Sequence, residues 1–309
     1  MKGYKAFEPG LICKGKKYEE NTIATEERAE PCKCGIHFCE SPFDVLDYYP
    51  LITDDGKFTD FAEVEALDKP VTDDKKKYCT TKLKIGAKLS FAGFIRACID
   101  FIFEKTVNSM PDDSGNSAQI ASSGNSAQIG SSGYYAQIGS SGNSAQIGSS
   151  GDSAKIGSSG YYAKIGSSGY YAQIGSSGNS AQIGSSGDSA KIGSSGYYAQ
   201  IGSSGNSAQI GSSGDSAKIG SSGDSAKIGS SGDSAKIDSS GEDSVIMCAG
   251  LNSRAKAKKG SWITLAEWKY DDDKARWVPV CVKTEQVDGE RIKEDTFYQL
   301  IDGEFKEVE

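Results

Sequence analysis

The sequence has one histidine in 309 residues, and between residues 116 and 237 it has neither cysteine nor threonine. Each absence removes a class of function. Without cysteine, that tract cannot be stapled by disulfides. Without threonine, it cannot present the flat Thr rows that suit an ice surface. No stretch is apolar enough for a membrane span: Phe91–Glu104 is the most apolar run, and it is too short and too interrupted. The N-terminus lacks the apolar run of a secretory signal, so a reduced, cytoplasmic protein is expected, with Cys13, Cys32, Cys34, Cys39, Cys79, Cys98, Cys248 and Cys281 as free thiols. Nor is the tract strongly charged. Its five Asp and six Lys leave a net of +1, and the overall −8 lies in the flanks, so it does not imitate the rows of negative charge on DNA.

What the tract does contain is one nonapeptide written fourteen times. The unit runs polar/Tyr, Ser/Tyr, Ala, Gln/Lys, Ile, Gly, Ser, Ser, Gly, and its isoleucines recur from Ile120 to Ile237. A fixed short period is the mark of a chain that stacks on itself. Two glycines per unit oppose a helix by roughly 1 kcal/mol each. Ala and Ile two apart share one face of an extended strand, with Gln/Lys on the other. Gly-Ser-Ser-Gly then reads as the turn. A flexible Gly/Ser linker is the competing reading, but a linker needs no register between Ala and Ile. Stacking does, because it buries both as ladders.

Nine residues are too few to close a coil without a staple, so two units per coil are expected. Fourteen units then give seven coils, a stack of roughly 34 Å at a strand spacing of about 4.8 Å. A calcium roll requires Asp two positions before the buried apolar residue, where every unit has Ala instead. The predicted fold is therefore mainly β: a parallel β-solenoid across 111–250, a small α+β domain across 1–110 and a β-hairpin cap across 251–309. The helix at Phe91–Glu104 is expected to cap the open end of the solenoid, where a sheet edge and an apolar core would otherwise be exposed. Strands are predicted near Tyr4–Phe7, Gly35–Cys39, Phe61–Ala66 and Thr80–Leu89, with a helix after Ser41-Pro42. In the C-terminal segment, Trp262–Trp268 pairs with Trp277–Val282, and Asp302-Gly303 turns a second hairpin.

The candidate contact residues are the paired tyrosines Tyr134/Tyr135, Tyr161/Tyr162, Tyr170/Tyr171 and Tyr197/Tyr198. With two units per coil, the first and third pairs fall on one face and the second and fourth on the other, two coils apart. Tyr135, Tyr162, Tyr171 and Tyr198 are expected at the outward strand position. Exposed aromatics are enriched where proteins meet partners, whereas filling strand positions is their bland role. Base stacking on a nucleic acid would need a basic groove, which is missing.

Chemistry has one further foothold. Cys32, Cys34, His37 and Cys39 invite a zinc reading, but structural sites usually pair two distant Cys-x2–4-Cys elements. Neither metal nor cofactor is expected. Gly35-Ile36-His37-Phe38-Cys39, Tyr48-Tyr49 and Glu63-Val64-Glu65 faintly resemble ADP-ribosyltransferase-like folds, which would put an enzyme in residues 1–108. A catalytic Arg or His near the N-terminus and a Ser-Thr-Ser strand, which those folds carry, are lacking.

The N-terminal Gly-Ile-His-Phe-Cys and Tyr-Tyr pattern, the Ser/Gly/Ala nonapeptide array and the closing Lys259-Gly260-Ser261-Trp262-Ile263-Thr264-Leu265-Ala266-Glu267-Trp268 together resemble uncharacterised phage and prophage proteins. That resemblance implies a phage-encoded solenoid with no established activity. The expected function is non-enzymatic binding of a host protein inside the host cell, such as a defence factor. A virion-associated rod is the alternative.

Overall fold

The computed structural model describes residues 1–106 and 115–308. Residues 119–265 form a parallel β-solenoid of about eight turns. Every unit contributes one four-residue strand, such as Gln137–Ser140 or Gln146–Ser149, and alternate units enter opposite sheets. Within a sheet the pairing is in register at a separation of eighteen residues: Ile138 aligns with Ile156 and Gly139 with Gly157. Two units per coil is therefore the observed geometry. Two degenerate units, with strands Val245–Cys248 and Arg254–Ala257, extend the stack beyond the fourteen regular copies.

The strand falls later in the unit than expected. It runs Gln/Lys-Ile-Gly-Ser, and the turn is centred on the first two residues of the next unit. The second of these takes left-handed backbone angles throughout, with φ of +57° at Tyr135 and +56° at Ser144. The tyrosines of the candidate set are thus turn residues, and Tyr135, Tyr162, Tyr171 and Tyr198 do not occupy an outward strand position. Three residue types face inward. Ala145, Ile147 and Ser149 are all fully buried, and the same triplet repeats along the rod. Each buried isoleucine contributes roughly 1.5–3 kcal/mol by leaving water. The serines oppose this: from Ser131 to Ser230, every ninth residue is a buried serine whose hydroxyl has no partner among the described residues.

Two features fix the coil spacing. From Gly142 on, the last glycine of each unit lies over the coil below, so that a Cβ on Gly151 would land on the Gly133 carbonyl oxygen. The first residue, when Asn or Asp, accepts a hydrogen bond from the backbone eighteen residues on: Asn143 Oδ1 takes the Tyr161 N–H at 3.0 Å, and Asp152 Oδ1 takes that of Tyr170 at 2.8 Å.

At the C-terminal end both sheets stop in antiparallel hairpins. Trp262–Asp271 pairs with Arg276–Gln286 on one sheet, and Phe297–Ile301 with Glu304–Val308 on the other. This is the cap anticipated from the alternation and the Asp-Gly turn.

The N-terminal residues form a seven-stranded antiparallel sheet. Its spatial order is Ile23–Thr25, Lys82–Leu89, Asp60–Ala66, Lys2–Phe7, Ile36–Cys39, Lys77–Thr80 and Val71–Thr72. The expected helix after Ser41 shrinks to a single 3-10 turn at Asp44–Asp47. Helix α1 (Phe91–Thr106) forms as predicted but does not sit at the end of the rod. It lies between the N-terminal sheet and one flat face of the solenoid. Phe94 stacks on Phe61 of the sheet, with ring centroids 3.6 Å apart. On its other side, Phe91, Ile95, Ile99, Ile102 and Phe103 rest on the outward glycines of the strands beginning at Gln128, Gln146, Lys164, Gln182 and Gln200. The reason is surface area: a glycine column leaves a trough that receives bulky side chains along many coils, whereas the rod's end offers only one coil. Capping the N-terminal end with α1 is thus corrected to covering a face.

Candidate functional site

Among the described residues, chemistry or recognition could reside at the edges of the rod, on its uncovered sheet, or in hollows of the N-terminal unit.

At the edges, the turns place Tyr134, Tyr135, Tyr170 and Tyr171 on one side and Tyr161, Tyr162, Tyr197 and Tyr198 on the other, following the alternation of sheets. All eight are 53–64% exposed. On each edge the two pairs are two coils apart, about 10 Å. Their backbones are fixed: Tyr135 N–H donates to the Asp152 carbonyl at 3.0 Å, and Tyr171 N–H to that of Asp188 at 3.0 Å. The rings are thus presented in pairs at a set interval on an ordered backbone. The interval and the exposure were expected; the placement on the narrow edges was not, because the turn was assigned to Gly-Ser-Ser-Gly.

The two broad faces have the same repeat sequence but different surroundings. On the sheet beneath α1, the Gln/Lys column is engaged by residues 43–54. Lys164 Nζ pairs with Asp47 at 2.6 Å and donates to the Phe43 carbonyl at 2.9 Å. Gln182 Nε2 donates to the Leu46 carbonyl at 3.2 Å, and Lys218 pairs with Asp54. On the opposite sheet, which we call the open sheet, Gly139, Gly157, Gly175, Gly193, Gly211 and Gly229 have no atom of the described residues within 4 Å of where a Cβ would be. The result is a groove of about 1100 Å³, bordered by Gln137, Lys155, Gln173, Lys191, Gln209 and Lys227. Sequence reasoning missed this groove, since nothing in an identical repeat says which sheet will be covered.

In the N-terminal unit a hollow of about 580 Å³ gathers Lys5, Cys13, Cys32, Cys34, His37, Cys39 and Tyr49. Here the four weak metal candidates do line one space. They are not poised as ligands, and among the described residues no group of three or more His, Cys, Asp or Glu could hold a metal ion. His37 Nε2 instead accepts the Cys32 N–H at 3.2 Å, and the Cys79 thiol donates to the Cys34 carbonyl at 2.9 Å. Burial pushes the Cys39 thiol from 9.0 up to about 12, reinforced by the charges of Asp44 and Asp47. It therefore stays protonated and is a poor nucleophile. Burial, with the Lys5 and Lys77 charges, lowers the His37 pKa. Lys5 is almost wholly buried, which lowers its own pKa; its Nζ donates to the His37 carbonyl at 3.0 Å and to Cys13 Sγ at 3.5 Å. Glu63 and Glu65 line a separate hollow with Tyr4, Glu40 and Lys84, so the residues behind the ADP-ribosyltransferase resemblance are not gathered into one site.

No helix among the described residues is long and apolar enough to cross a membrane. No curated protein and no solved structure matches the chain. Residues 1–97, the N-terminal sheet with the first part of α1, match the family model for a domain of unknown function (DUF7666).

Proposed function

We propose that this chain is a non-enzymatic binding protein whose solenoid presents recognition surfaces at fixed intervals. One observation carries the reading: eight tyrosines, each more than half exposed, stand in pairs two coils apart along both edges of an ordered rod. Tyrosine offers a large amphipathic surface with few rotamers to freeze, which is why it recurs at binding hot spots. The N-terminal unit supports the rod by covering one sheet, and its hollow holds a protonated thiol and a histidine already engaged with backbone. The resemblance to phage and prophage proteins points to a bacterial protein as the partner, in the host cytoplasm, with a defence factor as the class to be blocked. A virion rod growing end to end fits less well, because both sheets terminate in antiparallel hairpins at the C-terminal end.

The test is affinity purification from a bacterial host with the intact chain and with a variant carrying Tyr135→Ser, Tyr162→Ser, Tyr171→Ser and Tyr198→Ser. Serine already occupies this left-handed position in the other regular units, so the fold should persist. Loss of a specific partner supports the reading, and an unchanged set of captured proteins refutes it.

A further inference from the structure

The solenoid shows, within its own chain, what its glycine column binds. Phe91, Ile95, Ile99 and Ile102 are spaced four, four and three along α1, and they travel the covered glycines from Gly202 to Gly130. Eleven helical residues rise about 16 Å, and four strand steps are about 19 Å, so a helix lying along the rod places successive bulky side chains over successive coils. Closeness of approach depends on glycine: a Cβ on Gly202 would be 2.7 Å from the Phe91 ring, and one on Gly148 3.3 Å from the Ile99 Cα. Beside this trough, the lysines of the covered sheet meet Asp47 and Asp54.

Among the described residues, the open sheet repeats the trough without an occupant. Six successive glycines form its floor, over a length of roughly 24 Å from Gly139 to Gly229 at the strand spacing, comparable with the length of α1 itself. Among the described residues, Lys155, Lys191 and Lys227 on its border make no ion pair, although their counterparts Lys164 and Lys218 on the covered sheet do. At the C-terminal end the groove runs into exposed apolar side chains, Val245, Met247, Trp262 and Val282. Exposed apolar surface continuous with a groove is the usual sign of a docking site.

We infer that the open sheet docks an amphipathic helix supplied by a partner protein, with bulky apolar residues at i, i+4, i+8 and i+11 over the glycines and acidic residues facing Lys155, Lys191 and Lys227. This deepens the binding-protein reading and rests on it, but it uses a different surface from the tyrosine edges. Helix-in-groove recognition normally reads such i, i+4 anchors from a hydrophobic cleft. Here the cleft is made by the absence of side chains on a flat sheet, and the lysine column sets the preferred charge of the ligand.

The experiment uses a stapled, fluorescent peptide with the sequence of residues 91–106, titrated into the full chain by anisotropy. A second peptide carries Arg96→Glu and Lys105→Glu. The protein variants are Gly157→Val/Gly175→Val/Gly193→Val, which fills the groove where a Cβ meets nothing, and Lys155→Gln/Lys191→Gln/Lys227→Gln. Valine suits an exposed strand position, and an unchanged melting curve confirms that the fold survives. Saturable binding of the parent peptide, weakened about tenfold or more by the valine variant, is expected. The acidic peptide should bind several-fold tighter, and the glutamine variant should erase that gain. No binding, or equal binding by the valine variant, overturns the inference. So does absence of a preference for the acidic peptide. Self-association of the chain that the valine variant abolishes would also overturn it, assigning the groove to a second copy. If the tyrosine variant loses its host partner while the peptide fails to bind, only the groove inference falls.

Discussion

Glycines in three kinds of position along this rod predict three different responses to one extra carbon. Gly175 lies mid-strand on the open sheet, where a Cβ meets nothing within 4 Å. Gly175→Ala should leave stability unchanged or raise it by roughly 0.5–1 kcal/mol, because alanine loses less backbone freedom on folding. Gly184 occupies the same position of the unit on the covered sheet, where the new carbon would run into the tip of Ile95 and come 3.4 Å from the Phe91 ring. Gly184→Ala should therefore cost about 1–3 kcal/mol, as overpacking does. Gly178 is in the turn column, and its Cβ would strike the Gly160 carbonyl, which is backbone and cannot rotate away. Gly178→Ala must push two coils apart, at a cost of roughly 3 kcal/mol or more. Urea unfolding followed by circular dichroism reads all three, since about 1 kcal/mol moves the midpoint by roughly 0.3–1 M. The expected order of midpoints is Gly175→Ala at or above wild type, then Gly184→Ala, then Gly178→Ala. Equal losses at Gly175 and Gly184 would mean that α1 does not distinguish the two sheets, and the assignment of a covered and an open face would be wrong.

Other outcomes follow from the core and the turns. Ser185→Ala should raise the urea midpoint by the equivalent of about 1 kcal/mol, because a buried hydroxyl without a partner is removed; the same position of the unit already holds Cys248 and Ala257 in the two degenerate units. Asn179→Ala should cost about 1 kcal/mol by freeing the Tyr197 N–H, now held at 3.0 Å, whereas Asn179→Asp should be neutral in the same melt. Between pH 9 and about 12 the folded chain keeps the Cys39 proton that the unfolded chain releases. That group's contribution is full below pH 9 and declines across the window, so the midpoint difference between wild type and Cys39→Ala should shrink as pH rises. Alkylation of the native protein should modify exposed Cys32 first and leave buried Cys39, Cys98 and Cys248 untouched until denaturant is added.

Much of this architecture could be read from residues alone, and the failures have physical causes. Ile147 and Ala145 had to face inward because only stacking gives a register any meaning, and both do. The hairpin at Asp302-Gly303 carried its own turn chemistry, and its strands are those expected. The turn was misplaced because Gly-Ser-Ser-Gly has the better turn composition. The chain instead puts left-handed angles on Ser and Tyr, which few non-glycine residues adopt. The serine column escaped notice because a hydroxyl is normally placed outside. The position of α1 was illegible for a deeper reason. A repeat identical on both sheets holds no information about which sheet is covered; that choice is made by Asp44, Asp47 and Asp54, through contacts more than a hundred residues apart in sequence, and by the α1 isoleucines seated on the covered glycines. The candidate site was half legible: the tyrosines were found, while the groove exists only as the difference between two faces.

Since alternate units enter opposite sheets, the rod has a parity. Gaining or losing a single nonapeptide would transfer every later unit to the other side: the Asp238–Lys256 ion pair, at 3.0 Å beside the N-terminal unit, would turn toward open solvent, and the two terminal hairpins would trade places. Gaining or losing a pair would only lengthen or shorten the column. Recombination among near-identical copies should thus be tolerated in steps of eighteen residues, which keeps the number of nonapeptides even.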